Sequence, residues 1–217
     1  MLPFGFSADR PSPLKNLCLG AHSDDIEIGC GGTILRLTRE IPELEVRWIV
    51  LGAAGPRRTE AIKSAQHFLR HAAKSRILVR SFRDGFLPYL GYKVKDYFER
   101  LKCSFAPDLI FTHYRRDLHQ DHRIVSELTW NTFRDHLILE YEVMKYDGDL
   151  GSPNFFVHLH KDICTEKVRV LQTVFRTQNH RAWFTEDTFL SLMRLRGVES
   201  NAPTRYAEAF YCSKIVF

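Results

Sequence analysis

The chain has 217 residues, 44% hydrophobic and 26% charged, with a formal charge of +5 at neutral pH. That composition suits a soluble globular fold with volume for a core, and no run reaches the roughly 18 apolar residues that a membrane span requires. No Lys/Arg run is dense enough to mark a nucleic-acid surface. The five cysteines, odd in number and without a Cys-x-x-Cys pair, point to free thiols and a cytoplasmic setting.

Residues 1–14 carry scattered prolines and read as an extended arm rather than a signal peptide. Strand-like and helix-like segments then alternate. Strands are predicted at 16–21, 45–51, 76–81, 108–113 and 138–146, with helices at 32–39, 59–73, 94–104 and 122–134. Apolar strands separated by amphipathic helices imply βαβ units, hence an α/β Rossmann-like fold: an open, mostly parallel sheet with helices on both faces. Residues 147–217 change pattern, with a strand at 155–160, helices at 164–175 and 186–195 and a closing strand at 206–213. They read as an extension completing one domain, since no linker or repeat separates them.

Two polar clusters interrupt this pattern. The first strand runs into Ala21-His22-Ser23-Asp24-Asp25 and then Gly29-Cys30-Gly31-Gly32. A glycine loop there could cradle a dinucleotide, but three acidic side chains precede it and the second strand ends in Gly52-Ala53-Ala54, without the acid that would hold a ribose. The second cluster, Asp117-Leu118-His119-Gln120-Asp121-His122, follows the apolar run Leu109-Ile110-Phe111. With the common strand order 3-2-1-4-5, the first and fourth strands flank the reversal of order, so both clusters are expected at one crevice. Two imidazoles and a carboxylate make a catalytic zinc site with a position left for water. The bland alternatives are that Asp24, Asp25 and Asp121 merely cap helices.

At these residues the sequence resembles the LmbE-like, or PIG-L, zinc-dependent N-acetyl-sugar deacetylases, whose fingerprint is Ala-His-Pro-Asp-Asp, an acid, Gly-Gly and a later Asp-x-His-x-Asp-His. Weaker similarity includes Arg57, Asp84-Gly85, Gln178 and the closing Arg205-Tyr206-Ala207-Glu208-Ala209-Phe210. The resemblance implies metal ligation by His22, Asp25 and His122, with Zn2+ the expected ion and Fe2+ able to take the same donors. It implies Asp24 as general base, His119 as oxyanion stabiliser and acid, and Asp121 as the carboxylate orienting His119. The implied reaction is removal of an acetyl group from an N-acetylated sugar or glycoside. Hydrolysis of a larger amide conjugate, or a nucleotide-binding role for Gly29–Gly32, stays open. Ser23 stands where the family pattern has proline, which predicts a slightly looser turn.

On the substrate side the resemblance offers Arg57, which could instead pair with Glu60, and Asp84, which could instead serve an Asp-Gly turn. Tyr89, Tyr92, Trp183 and Phe184 could stack on a sugar but read better as packing. His113 falls near the site as a candidate supporting group, while His158 and His160 read as structural. A homo-oligomer is left open.

Overall fold

The computed structural model describes residues 13–216. Most of the predicted arm lies outside the described residues, but its last residue does not belong to an arm. Leu14 begins the first strand, β1 (Leu14–Gly20), and pairs with Leu44 at the start of β2 (Leu44–Val50). Three further parallel strands follow, β3 (Lys74–Val79), β4 (Leu109–His113) and β5 (Leu137–Tyr141), in the order β3-β2-β1-β4-β5. The expected reversal of order therefore falls between β1 and β4.

Helices α1 (Asp25–Glu40), α2 (Gly55–Phe68), α3 (Gly91–Ser104) and α4 (Gln120–Thr132) cross between these strands. Alternation along each strand splits the core in two. Cys18, Trp48 and Phe111 join one cluster with Phe68, while Leu17, Leu19 and Ile110 join another with Phe98 and Phe133. Burial on both faces is why β4 and the second half of β1 read as continuous apolar runs, whereas the edge strand β3 begins exposed and polar.

The C-terminal part extends the same sheet. It comprises β6 (Phe155–Leu159), α5 (Lys161–Val174), α6 (Glu186–Glu199) and β7 (Tyr206–Cys212), with β7 antiparallel to both β5 and β6 and lying between them. The fifth strand stops at Tyr141 instead of running to Tyr146. Beyond Tyr141 the chain leaves the sheet, and Glu142 accepts hydrogen bonds from Arg196 at 2.6 and 2.9 Å.

The largest departure from expectation is α1. It begins at Asp25, so Gly29, Gly31 and Gly32 lie inside a helix and form no phosphate-binding loop. Each interior glycine costs about 0.5–1 kcal/mol relative to alanine. The helix tolerates them because other groups press against it: a Cβ would meet the Tyr141 ring at 2.1 Å from Gly29, Phe68 at 2.7 Å from Gly31 and Leu159 at 2.6 Å from Gly32. The missing side chains also admit a buried ion pair. Glu208 accepts the backbone N–H groups of Gly32 and Thr33 at 2.8 and 2.6 Å, and Lys167 donates to Glu208 and to the Ile28 carbonyl, both at 2.6 Å. No described helix is long and apolar enough to cross a membrane.

Candidate active site

The chain between β1 and α1 carries the first cluster. Asp24 stands at the N-cap position of α1 but makes no side-chain capping bond. Asp25 accepts the backbone N–H of His22 at 2.6 Å, which folds the segment back on itself. Capping therefore explains neither carboxylate. Both are almost fully buried, as are His22 and His122, and buried charged groups require partners.

Those partners arrive from β4 and α4. His22 Nδ1 lies 3.2 Å from His122 Nε2, although a hundred residues separate them. Asp25 Oδ2 lies 3.3 Å from His22 Nδ1, and its Oδ1 lies 3.4 Å from His122 Nε2. A tetrahedral ion bound at ~2.0–2.1 Å holds its ligand atoms about 3.3 Å apart. Two imidazole nitrogens and a carboxylate fit zinc in donor type, with one Asp25 oxygen facing each histidine. His22 has a further donor pair at its other nitrogen, with Asp84 Oδ1 at 3.1 Å and Asp121 Oδ2 at 3.2 Å from Nε2.

The surrounding charges act on every group. Burial alone would lower the His22 imidazole, but the charge of Asp25 and contacts with Asp121 and Asp84 carry it well above its ordinary value. Burial, reinforced by the charge of Asp25, pushes Asp24 up to about 6 against the pull of Arg57 and His22. His113, at the end of β4, is fully buried and pushed down to about 4 by burial and by His122. It accepts the Ala21 N–H at 2.9 Å and stands 3.2 Å from Asp25, so it does support the site. Glu27, the acid of the motif, lies in the first turn of α1 and is fully buried, and burial raises its carboxyl well above the usual range.

Two roles differ from expectation. His119 is the N-cap of α4, and its Nδ1 accepts the Asp121 backbone N–H at 3.2 Å. The Asp121 carboxylate does not hold that ring. It accepts the N–H groups of Gly85 and Leu87 at 2.7 and 3.1 Å and meets His22, so it ties the Asp84 turn to the His22 side of the cleft. The carboxylate that orients a histidine is Asp117, whose Oδ2 lies 2.9 Å from His122 Nδ1 and whose Oδ1 accepts the His119 N–H at 2.8 Å. Its place in the second motif was the available signal.

Arg57 does not pair with Glu60, which is committed to Thr177 through its backbone N–H and its hydroxyl. Instead Arg57 donates to Asp84 Oδ2 at 2.5 Å and to Ser23 Oγ at 3.1 Å, and its Nη2 stands 3.7 Å from Asp24. Ser23 is fully buried, so serine here gains a partner that proline lacks.

A cleft of about 190 Å³ opens above His22, Asp24, Asp25, Arg57, His119 and His122. Its far side is built by Val143, Lys145 and Asp147 from the segment after β5 and by Arg181 from the segment after α5, none of which the sequence singled out, together with Gln178, which the family resemblance had included. Lys145 reaches Asp117 at 2.9 Å and Asp149 at 2.5 Å. Trp183 lines the cleft, whereas Phe184 is buried in the core and Tyr89 and Tyr92 are exposed outside it.

Similar architectures occur among solved structures. The N,N'-diacetylchitobiose deacetylase of Pyrococcus horikoshii is 24% identical with a TM-score of 0.68, covering 91% of this chain and 83% of that one. The zinc-inhibited teicoplanin deacetylase Orf2 is 15% identical with a TM-score of 0.71, over 91% and 97%. GalB, the 4-carboxy-2-hydroxymuconate hydratase of Pseudomonas putida, is 14% identical with a TM-score of 0.71, over 94% and 98%. Such identities establish a shared fold, and with a hydratase among them the fold does not name the reaction. Sequence is more specific. Residues 17–133, which hold both clusters and the strands that bring them together, match the model of PIG-L, GlcNAc-PI de-N-acetylase. Because that match spans more than half of its length, the chain belongs to the PIG-L family.

Proposed function

We propose that this protein is a metal-dependent hydrolase that removes the acetyl group from an N-acetylated amino sugar or glycoside. The observation that carries the reading is the convergence of His22, His122 and Asp25 to 3.2–3.4 Å beside a second carboxylate, Asp24, on the floor of a cleft. Family membership supports deacetylation, since the family description names a de-N-acetylase. The odd, unpaired set of cysteines supports a cytoplasmic location.

Zinc is the ion we assign to His22, Asp25 and His122, with iron(II) able to take the same donors. When bound, the ion supplies a Lewis acid and a water whose pKa falls to about 7. Asp24, raised to about 6, is suited to take a proton from the attacking water and to return it to the departing nitrogen. Because His119 Nδ1 accepts a backbone N–H, the neutral ring carries its proton on Nε2. Burial and the charges of His122 and His22 lower the His119 pKa and favour that neutral form. It can donate to the oxygen that gains charge as water adds to the carbonyl. The role of acid then passes to Asp24. The C–N bond breaks, and acetate and a free amine leave. Arg57 and Asp84 face the same space and are suited to sugar hydroxyls.

The test is metal content by mass spectrometry for the wild type and His122→Ala, with acetate release from N-acetylglucosamine and N,N'-diacetylchitobiose before and after chelation. About one ion per chain, lost in the variant, and acetate only from loaded protein are expected. A protein that neither contains nor takes up zinc or iron(II) would overturn the reading.

A further inference from the structure

His113, the last residue of β4, is fully buried beneath the cleft and does not line it. A buried imidazole calls for a reason, because phenylalanine fills similar space without polar atoms to satisfy. The Nδ1 of His113 has no hydrogen-bond partner among the described residues, so the ring is destabilising at that atom. What offsets it lies at the other nitrogen and on the ring face.

Nε2 accepts the backbone N–H of Ala21 at 2.9 Å, from 92 residues away in the chain. The next amide, that of His22, donates to Asp25 Oδ2 at 2.6 Å. Side chains thus fix the backbone on which His22 is mounted, one of them reaching across from β4. The ring of His113 also lies 3.9 Å from that of His122, with the two planes 16° apart. Asp117 holds the edge of His122 at Nδ1, and His113 covers its face. The donors of His113 lie close enough to those of Asp25 and His122 to share an ion. Its Nε2 lone pair is taken by Ala21, however, which leaves the ring beside the proposed ligands rather than among them.

We propose that His113 is the positioning residue of the metal triad. Through Ala21 it sets the backbone that presents His22, and through its stack it sets the plane of His122. The two imidazoles from distant motifs therefore meet in the right geometry before an ion arrives. This rests on the metal-dependent reading and deepens it. An acceptor alone or an aromatic face alone does half of this; one imidazole supplies both.

The experiment titrates metal-free protein with cobalt(II), whose visible bands report coordination geometry, and measures zinc affinity against a chelator of known strength. Wild type is compared with His113→Phe, which keeps a ring face without an acceptor, and with His113→Gln, which keeps an acceptor without a ring. Val170→Ala, a core truncation on α5, is the control for lost stability, and thermal unfolding of each metal-free protein is recorded. Zinc affinity is expected to fall roughly tenfold or more in both His113 variants, with altered cobalt bands. Val170→Ala is expected to unfold at lower temperature yet keep wild-type affinity and bands. Either His113 variant matching the wild type in both readouts overturns the positioning role. Affinity that simply follows unfolding temperature, Val170→Ala included, overturns it as well. A wild type that takes up neither cobalt nor zinc overturns the metal-dependent reading, and this role with it.

Discussion

The two walls of the cleft are built on different principles. The wall that carries the proposed metal ligands, here the metal wall, stands on the carboxyl ends of β1 and β4, and its groups are bound to one another: Asp25 to the His22 backbone, His122 to Asp117, Asp121 to His22 and to the Asp84 turn. The opposite side is carried by connecting segments and is looser. Tyr146 is 69% exposed, and among the described residues the Arg181 guanidinium makes a single hydrogen bond, to the neutral amide of Gln178. Chemistry requires fixed distances, and strand ends anchored in two cores supply them. Substrate recognition tolerates adjustable geometry, and loops supply that. The contrast predicts that substitutions on the metal wall lower turnover or metal affinity, while those on the rim change substrate choice.

Asp24→Asn tests the metal wall most severely. Asparagine keeps the shape and leaves the three proposed ligands in place, so metal content should stay near one ion per chain. Turnover should fall by roughly 10²–10⁴-fold, the usual loss when a general base is removed. Near-full kcat in loaded protein would remove Asp24 from the mechanism. The next effect asks whether the walls are mechanically joined. Lys167 on α5 and Glu208 on β7 grip the backbone of α1, the helix headed by Asp24 and Asp25. Lys167→Met leaves Glu208 buried without its cation, which costs about 3–5 kcal/mol when a buried pair is broken. Urea denaturation should report it as a lower midpoint with an unchanged slope; an unchanged midpoint would mean that the C-terminal elements do not brace α1.

The metal wall was also the legible one. Apolar strands with helices between them specify the order β3-β2-β1-β4-β5, and the strand-end rule then brings His22 and His122 together from a hundred residues apart. The start of α1 was not legible, because glycine is a helix breaker in isolation. Only tertiary packing, with Tyr141, Phe68 and Leu159 pressed against Gly29, Gly31 and Gly32, makes it the residue that fits. Nor was the division of labour in the second motif. Adjacency favoured Asp121 for His119, but α4 begins at Gln120 and turns the Asp121 carboxylate toward His22 and Gly85, which leaves Asp117 to hold His122. Arg181 and Trp183 follow a helix rather than a strand, where no sheet rule applies. The Asp117 assignment has its own consequence. Asp117→Ala should weaken metal affinity by roughly 10–100-fold, as loss of a carboxylate behind a ligating histidine does. Competition with a chelator of known affinity measures it, and unchanged affinity would show that the contact does not orient the ring.

The smallest effect concerns the one departure from the family motif. Ser23 accepts a hydrogen bond from Arg57 Nε while Arg57 also holds Asp84 and faces Asp24. The hydroxyl therefore fixes an arginine that looks into the cleft, and it does so from a buried position where the bond is shielded from water. Ser23→Ala removes this acceptor and the long donation from Ser23 Oγ to Asp24 Oδ1 at 3.5 Å. A hydrogen bond from a charged donor contributes about 1.5–3 kcal/mol. Arg57 is partly exposed and keeps Asp84, which holds the loss to the low end or below. KM should therefore rise roughly two- to tenfold with kcat little changed. Ser23→Pro, which restores the family residue, also lacks the acceptor and should raise KM to a similar extent despite its stiffer turn. If both variants keep the wild-type KM, Arg57 is positioned by Asp84 alone and the serine is a neutral exchange. If KM rises in alanine but not in proline, backbone rigidity and the hydroxyl are interchangeable ways of presenting the same arginine.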